Sequence, residues 1–420
     1  MTFSPSGTSR LGASLASFAY RDFRYWSAWR FSFGLAYQMK NVAIGWYIYD
    51  LTGSALLLGI AGLVTFLPSV VLALFTGYIV DTYDRKLITG LSTGLTALAM
   101  AAILAGLLTG GAPVWLIYVA TFLTGIGRAF SGPASQAITP NLVPREHFAN
   151  AVTWISSAWQ VSTIVGPAVG GILYGGLFFT GGPVVAFSAT LVVSLIAVAC
   201  AMALRTDLKP KTEGRGPVTL ATLTAGLTFM WARPVIFGAV ALDLVAVLFG
   251  GVAGLLPIIA KDVLQIGPQG LGLLRSAPAV GAIVMAALIA WYPIQSKAGA
   301  KMLAAVAFYG LLIVVFGLSK NLWLSLTALA FMGAADMISV VVRHTMVQSD
   351  TPDEMRGRVS AVNSIFIGAS SDLGDFRSGT MAAAFGAIPA IVFGGAMTLT
   401  LAVAWRWFFP ALAKRDRLVE

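Results

Sequence analysis

The chain has 420 residues, 58% hydrophobic and 10% charged, with a mean hydropathy of +0.84 and a formal net charge of +10. A water-soluble domain of that length needs far more charge on its surface, so the balance excludes one and points to an all-α polytopic membrane protein. The apolar runs are continuous rather than alternating, which excludes a β-barrel. Lys and Arg in loops account for the positive charge, so no nucleic-acid partner is expected.

Stretches of about 20 apolar residues, each long enough to cross roughly 30 Å of hydrocarbon, recur along the chain. Residues before the first are too weakly apolar for a signal core, so a retained N-terminus is expected. Six transmembrane helices are predicted at 25–49, 56–80, 87–108, 114–138, 152–179 and 184–204. Residues 205–218 then carry charge, Pro and Gly without an apolar period, and read as a linker between domains 1–204 and 219–420. Residues 219–233 place Leu220, Leu223, Leu227 and Met230 at helical spacing, which predicts a short amphipathic helix on the membrane surface. Six further spans are predicted at 235–259, 271–291, 302–318, 322–347, 359–385 and 388–409. With this layout nineteen Lys and Arg residues fall in loops on one side, from Arg10 to Arg417, against Lys261 and Lys320 on the other, so both termini are expected in the cytoplasm.

A repeat runs through the twelve spans. Pro144 and Pro352, Glu146 and Glu354, Gly166 and Gly374, and Gly171 and Gly379 all share an offset of 208 residues. This predicts two six-helix bundles related by a pseudo-two-fold axis normal to the membrane.

Cys200 is the only cysteine, so no internal disulfide is possible, and His147 and His344 have no partners at metal-ligand spacing. No metal or other cofactor is expected. There is no phosphate-binding loop for ATP and no recognisable catalytic set, so the chain is not expected to be an enzyme.

Chemistry concentrates in a few stretches. Between the second and third spans the chain reads GYIVDTYDRK. Gly77 lets a neighbouring helix approach, Asp81 is an acceptor where the helix leaves hydrocarbon, and Arg85 and Lys86 suit anionic headgroups. In the fourth span Arg128 is a cation inside an apolar run, with Gly132 four residues on. In the fifth, Gly166, Pro167, Gly170 and Gly171 form a flat, bent face for another helix. The eleventh carries Asp372, Asp375 and Arg377. The two aspartates share a helix face, and a carboxylate pair in low dielectric holds a proton more tightly than one acid alone. Asp243 and Asp336 are further candidates for proton coupling, beside the intramembrane cations Arg30, Lys40, Arg275 and Arg343. Arg30, Gln38, Trp159, Gln160 and Phe249 are candidates to line a substrate cavity. The same ions also fit a static network holding helices together, and the glycines fit close packing alone.

These stretches resemble motifs A, B and C of the major facilitator superfamily. Gly77, Ile79, Val80, Asp81, Arg85 and Lys86 fit motif A, while Thr82 and Asp84 depart from it. Arg128 resembles the motif B arginine, and Gly166 to Gly171 the end of motif C. Within the superfamily the chain looks most like the subgroup of enterobactin exporters and macrolide efflux proteins. The resemblance implies a monomeric transporter in the inner membrane of a bacterium. It implies alternating access, with a motif A gate that bridges the halves, and proton-coupled antiport that exports a small amphipathic molecule such as a drug-like compound or a siderophore. An importer or lysolipid flippase of the same fold, and a transporter-shaped sensor or scaffold, are the alternatives.

Overall fold

Twelve helices of 17 to 33 residues run through the described part of the chain. They are α1 (Arg21–Thr52), α2 (Ala55–Thr82), α3 (Arg85–Leu108), α4 (Val114–Ile138), α5 (Phe148–Gly175), α6 (Pro183–Met202), α7 (Pro234–Gly250), α8 (Gly267–Trp291), α9 (Ala298–Leu318), α10 (Leu322–Ser349), α11 (Asp353–Phe385) and α12 (Ala387–Phe408). The structure, a computed structural model, describes residues 14–176, 180–210 and 220–418. The linker beyond 210, residue 219 of the expected amphipathic helix, the end of the expected fifth span at 177–179, and Arg10, Lys211 and Arg215 of the charge count lie outside these.

Local signals cut the apolar chain at these points. Gly53 ends α1 in a left-handed conformation (φ +59°) that L side chains avoid. Ser54 caps α2 by accepting the Leu57 N–H at 3.4 Å. Asp84 caps α3 by accepting the Lys86 N–H at 2.9 Å, so the residue that departs from motif A supplies the turn that a glycine makes there. Pro183 and Pro234 occupy the first positions of α6 and α7, where a missing N–H costs nothing. The expected amphipathic segment forms a helix, Leu220–Trp231.

The chain is a multi-pass membrane protein. Nine of the long helices are apolar enough over their length to cross a bilayer. The other three are α1, α5 and α11, whose apolar character is diluted by polar residues.

Helices α1 to α6 pack among themselves, as do α7 to α12, and the two groups meet where α5 lies on α8 and α2 on α11. Small residues allow that approach. A Cβ on Gly171 would sit 2.5 Å from the Pro268 carbonyl, and one on Gly59 would sit 3.0 Å from the Gly379 Cα. We call the end holding the Thr82–Arg85 turn and the 203–233 connection the near face, and the opposite end the far face. Towards the far face one buried apolar cluster takes members from both groups, among them Ile48, Met100 and Phe187 with Leu255, Leu271 and Phe316. The clusters towards the near face each stay within one group.

One expected span is corrected. The stretch 235–259 was expected to be a single helix, but α7 stops at Gly250. Gly251 and Val252 follow in non-helical form, then short 3-10 and α turns, then a π-helical turn over Ile259–Val263. Adjacent glycines at 250 and 251 cost little to unwind, and Pro257 lacks the N–H that a continuous helix would use.

Candidate functional site

Helix α1 carries a stripe at intervals of three and four residues: Arg30, Phe33, Tyr37, Asn41, Ile44 and Gly45. That stripe lines two cavities stacked between the bundles. The far chamber, about 320 Å³, is bounded by Gln38, Lys40 and Asn41 of α1, Arg128 of α4, Arg275 of α8, and Asp372 and Asp375 of α11. The near chamber, about 640 Å³, is bounded by Arg30 and Phe33 of α1, Trp159 of α5, Asp243 of α7, Tyr309 of α9, and Asp336 and Arg343 of α10. Tyr37, Arg128, Pro278, Met332 and Ser371 belong to both walls.

Arg128, which lines both chambers, is held by an ion pair from the far chamber. Arg128 of one bundle makes a two-pronged pair with Asp372 of the other, one prong Nη1 to Oδ1 at 3.3 Å. The Tyr37 hydroxyl accepts from the same Nη1 at 3.2 Å. Two parallel N–H···O bonds fix the guanidinium plane as well as its charge. Lys40 is buried beside this pair, its Nζ donating to Thr124 Oγ1 at 3.2 Å and lying 4.8 Å from the Tyr37 ring centroid.

The break in α7 opens onto the far chamber. The freed Gly254 N–H donates to Asp375 Oδ1 at 2.9 Å, and the Ala253 carbonyl accepts from Arg275 at 3.2 Å. Irregular backbone is tolerated at membrane depth where protein groups or a water-filled cavity satisfy it. Arg377 serves the same break from behind. It donates to the Phe249 carbonyl at 2.8 Å, and Ser378 donates to the Gly251 carbonyl at 2.8 Å. Arg377 and Phe249 therefore secure the end of α7, and neither bounds the chambers described.

In the near chamber Asp243 is buried against Arg343 at 3.1 Å, and Arg343 also donates to Asn363 at 3.2 Å. Asp336 opens onto the same chamber with no hydrogen bond or ion pair among the described residues. Arg30 lies over the Trp159 ring, 4.3 Å from its centroid, and its Nε has no hydrogen-bond partner among the described residues. Gln160 does not bound either chamber.

The glycine run of α5 has two faces. Gly166 and Gly170 lie on Gln38 and Met39 of α1, whereas Gly171 meets Pro268 and Gly272 of α8, in the other bundle. The Pro167 carbonyl reaches the same Gly272. On the far face Lys261 pairs with Asp50 at 2.5 Å, and Tyr49 donates to Asp262.

The motif A residues differ from expectation. Asp81 pairs with Arg85 at 3.9 Å, Arg85 donates to the Ala137 carbonyl at 3.4 Å, and Lys86 donates to the Leu204 carbonyl at 2.6 Å. All these partners belong to the first bundle, so in this conformation these bonds do not bridge the halves. The physical reason is the arrangement of apolar packing: among the described residues, no buried cluster near this face draws members from both bundles.

Tyr37, Asn41 and the Gly254 backbone were not foreseen as site groups, and Lys40 and Arg275 were foreseen only as intramembrane cations. The three-and-four spacing along α1 was the available signal for Tyr37 and Asn41. The run GGVAGLLP was the signal for the break.

Comparison with known proteins agrees with this architecture. Macrolide efflux protein A of Streptococcus pyogenes is 23% identical over 366 residues, 86% of this chain and 90% of that protein. Enterobactin exporter EntS of Shigella boydii is 26% identical over 326 residues, 77% of this chain and 76% of that protein. Among solved structures, a D-xylose-proton symporter superposes with a TM-score of 0.71 at 14% identity, covering 96% of this chain and 99% of that one. A bacterial homologue of the lysosomal transporter Spinster superposes with a TM-score of 0.68 at 15% identity, covering 94% and 96%. These are transporters rather than enzymes. The family model described as transmembrane secretion effector matches residues 12–417, nearly the whole length. The chain belongs to that family of major facilitator superfamily transporters.

Proposed function

We propose that this protein exports a small amphipathic molecule from the cytoplasm by proton-coupled antiport and alternating access. The Arg128–Asp372 pair carries the reading: it joins two bundles that must separate, and its arginine lines both chambers. The positive-inside count supports twelve spans with the near face in the cytoplasm of a bacterial inner membrane. Apolar packing that joins the bundles only towards the far face then corresponds to an inward-facing state. The names of the efflux protein and the exporter among its relatives support the outward direction.

Protonation of Asp372 neutralises one partner of the bridge. Arg128 then loses its counter-ion and the wall between the chambers yields. Asp375, Lys40 and Arg275 face the same space, so the proton arrives among charges that respond to it. A ligand or proton shifts the two-state balance only through its different affinity for the two states, and a bridge present in one state and broken in the other supplies that difference. Asp243 and Asp336 extend the carboxylate set into the near chamber. The motif A residues act as the near-face gate once the bundles close there. Each chain encloses both chambers, so a monomer is the working unit.

The test is drug or siderophore uptake into inverted membrane vesicles with and without an imposed pH gradient. Uptake driven by acidification of the vesicle interior is expected. Uptake indifferent to the gradient would remove proton coupling and leave transport standing.

A further inference from the structure

The charges of the near chamber do not cancel within either wall. On the first bundle's side the cations are Arg30 and Arg128, and Arg128 is committed to Asp372. On the second bundle's side Asp243 and Asp336 face one cation, Arg343, which is committed to Asp243 and Asn363. Arg343 lies near enough for its charge to act on Asp336 without bonding it, so what remains without a direct partner is one cation, Arg30, and one carboxylate, Asp336, on opposite bundles. Neither makes a hydrogen bond or ion pair among the described residues.

We propose that the near chamber selects cargo bearing both a carboxylate and a protonated amine on one apolar body, the carboxylate on Arg30 and the amine on Asp336. This rests on the reading of the chamber as the cargo site. The Arg30 guanidinium carbon lies 4.3 Å from the Trp159 ring centroid, and its buried Nε has no hydrogen-bond partner among the described residues. The edge of a guanidinium matches a planar carboxylate. Phe33, Trp159, Val247 and Met332 supply apolar wall between the two poles. A volume of about 640 Å³ suits a drug-sized molecule.

Closure of the chamber sharpens the selection. An ion sealed at membrane depth without a counter-charge is costly. Cargo with one charge leaves either Arg30 or Asp336 unpaired as the bundles close, whereas amphoteric cargo matches both.

The test measures binding to the full-length protein in lipid nanodiscs at neutral pH, using three probes that share one ring system. Ciprofloxacin carries both poles, its ethyl ester lacks the carboxylate, and its N-acetyl derivative lacks the basic amine. Ciprofloxacin is expected to bind about tenfold more tightly than either relative, the scale of one charge-assisted hydrogen bond. Arg30→Gln is expected to bring ciprofloxacin down to the ester and leave the ester unchanged. Asp336→Asn is expected to bring it down to the N-acetyl derivative. Asp336→Glu keeps the charge and is expected to retain the preference, and Arg30→Lys, which keeps the charge without the planar edge, is expected to retain part of it, which separates recognition from folding. Equal binding of all three probes, or equal losses for all three in a variant, overturns the charge selection alone. Failure of every probe to bind overturns the cargo-site reading as well.

Discussion

Arg128 and Asp372 form an ion pair across the two bundles, and Arg128 lines both chambers while Asp372 lines the far one. Asp372→Asn strands a guanidinium that has only the Tyr37 hydroxyl left, and breaking a buried pair costs about 3–5 kcal/mol. Transport is expected to fall at least about tenfold and to lose its response to a pH gradient. The exchanged pair Arg128→Asp with Asp372→Arg restores the bridge in reverse. It is expected to recover part of the stability in a thermal unfolding assay without recovering coupling. A coupled Asp372→Asn variant would return the pair to a static role.

Gly171 and Gly272 bring α5 and α8 into backbone contact across the bundles, with added Cβ atoms 2.5 Å from the Pro268 and Pro167 carbonyls respectively. Neither position has a flexible neighbour that can give way. Gly171→Val is expected to cost about 1–3 kcal/mol by overpacking. It is also expected to push the bundles apart towards the far face. A spin-label pair placed across that face would read the separation; an unchanged distance with unchanged transport would show that the helices slide to accommodate the side chain.

Asp81 is half-exposed and its ion pair with Arg85 is long, so its contribution to the stability of this state is small, about 0–1 kcal/mol. Asp81→Asn is expected to leave the melting temperature nearly unchanged and, on the proposed reading of these residues as a near-face gate, to slow turnover. Normal turnover would separate the residue from the gate.

Asp22, at the near-face start of α1, accepts the backbone N–H groups of Arg205 and Thr206 at 2.9 and 2.7 Å and the Thr206 hydroxyl at 2.6 Å. Burial pushes its carboxyl up, but these hydrogen bonds and the Arg21 charge outweigh that and hold it below the usual 3.8. A depressed carboxylate stabilises above its unfolded value and loses that contribution as pH falls through the folded one. The clasp on the linker is therefore expected to be intact above about pH 4 and to loosen below it. Hydrogen exchange over 205–210 between pH 3 and 6 checks this, and Asp22→Asn is expected to show the loosened pattern at every pH.

Much of the fold is legible in the sequence because hydrocarbon leaves few choices. A span of apolar residues bounded by Gly53, Ser54 or Pro183 has to be a helix. Arg128 and Asp372 stand out for the same reason, as ions where ions are expensive. Their pairing is not legible: they lie 244 positions apart in the chain, and the spacing along α11 pointed instead to Asp375 as the partner of Asp372. Arg377 misled because charge alone does not tell whether a cation faces a chamber or a broken helix end. The break itself was masked by hydropathy, since Gly251 to Ile259 is as apolar as the helix before it.

That break has one more effect. The short piece 251–263 is tied to α1 through Lys261 and Asp262, and to α11 through Gly251 and Gly254. On the proposed orientation this piece lies at the extracellular end, joined to α7 at Gly250 and Gly251. Were that side to open as alternating access requires, the piece could move without α7 bending along its whole length.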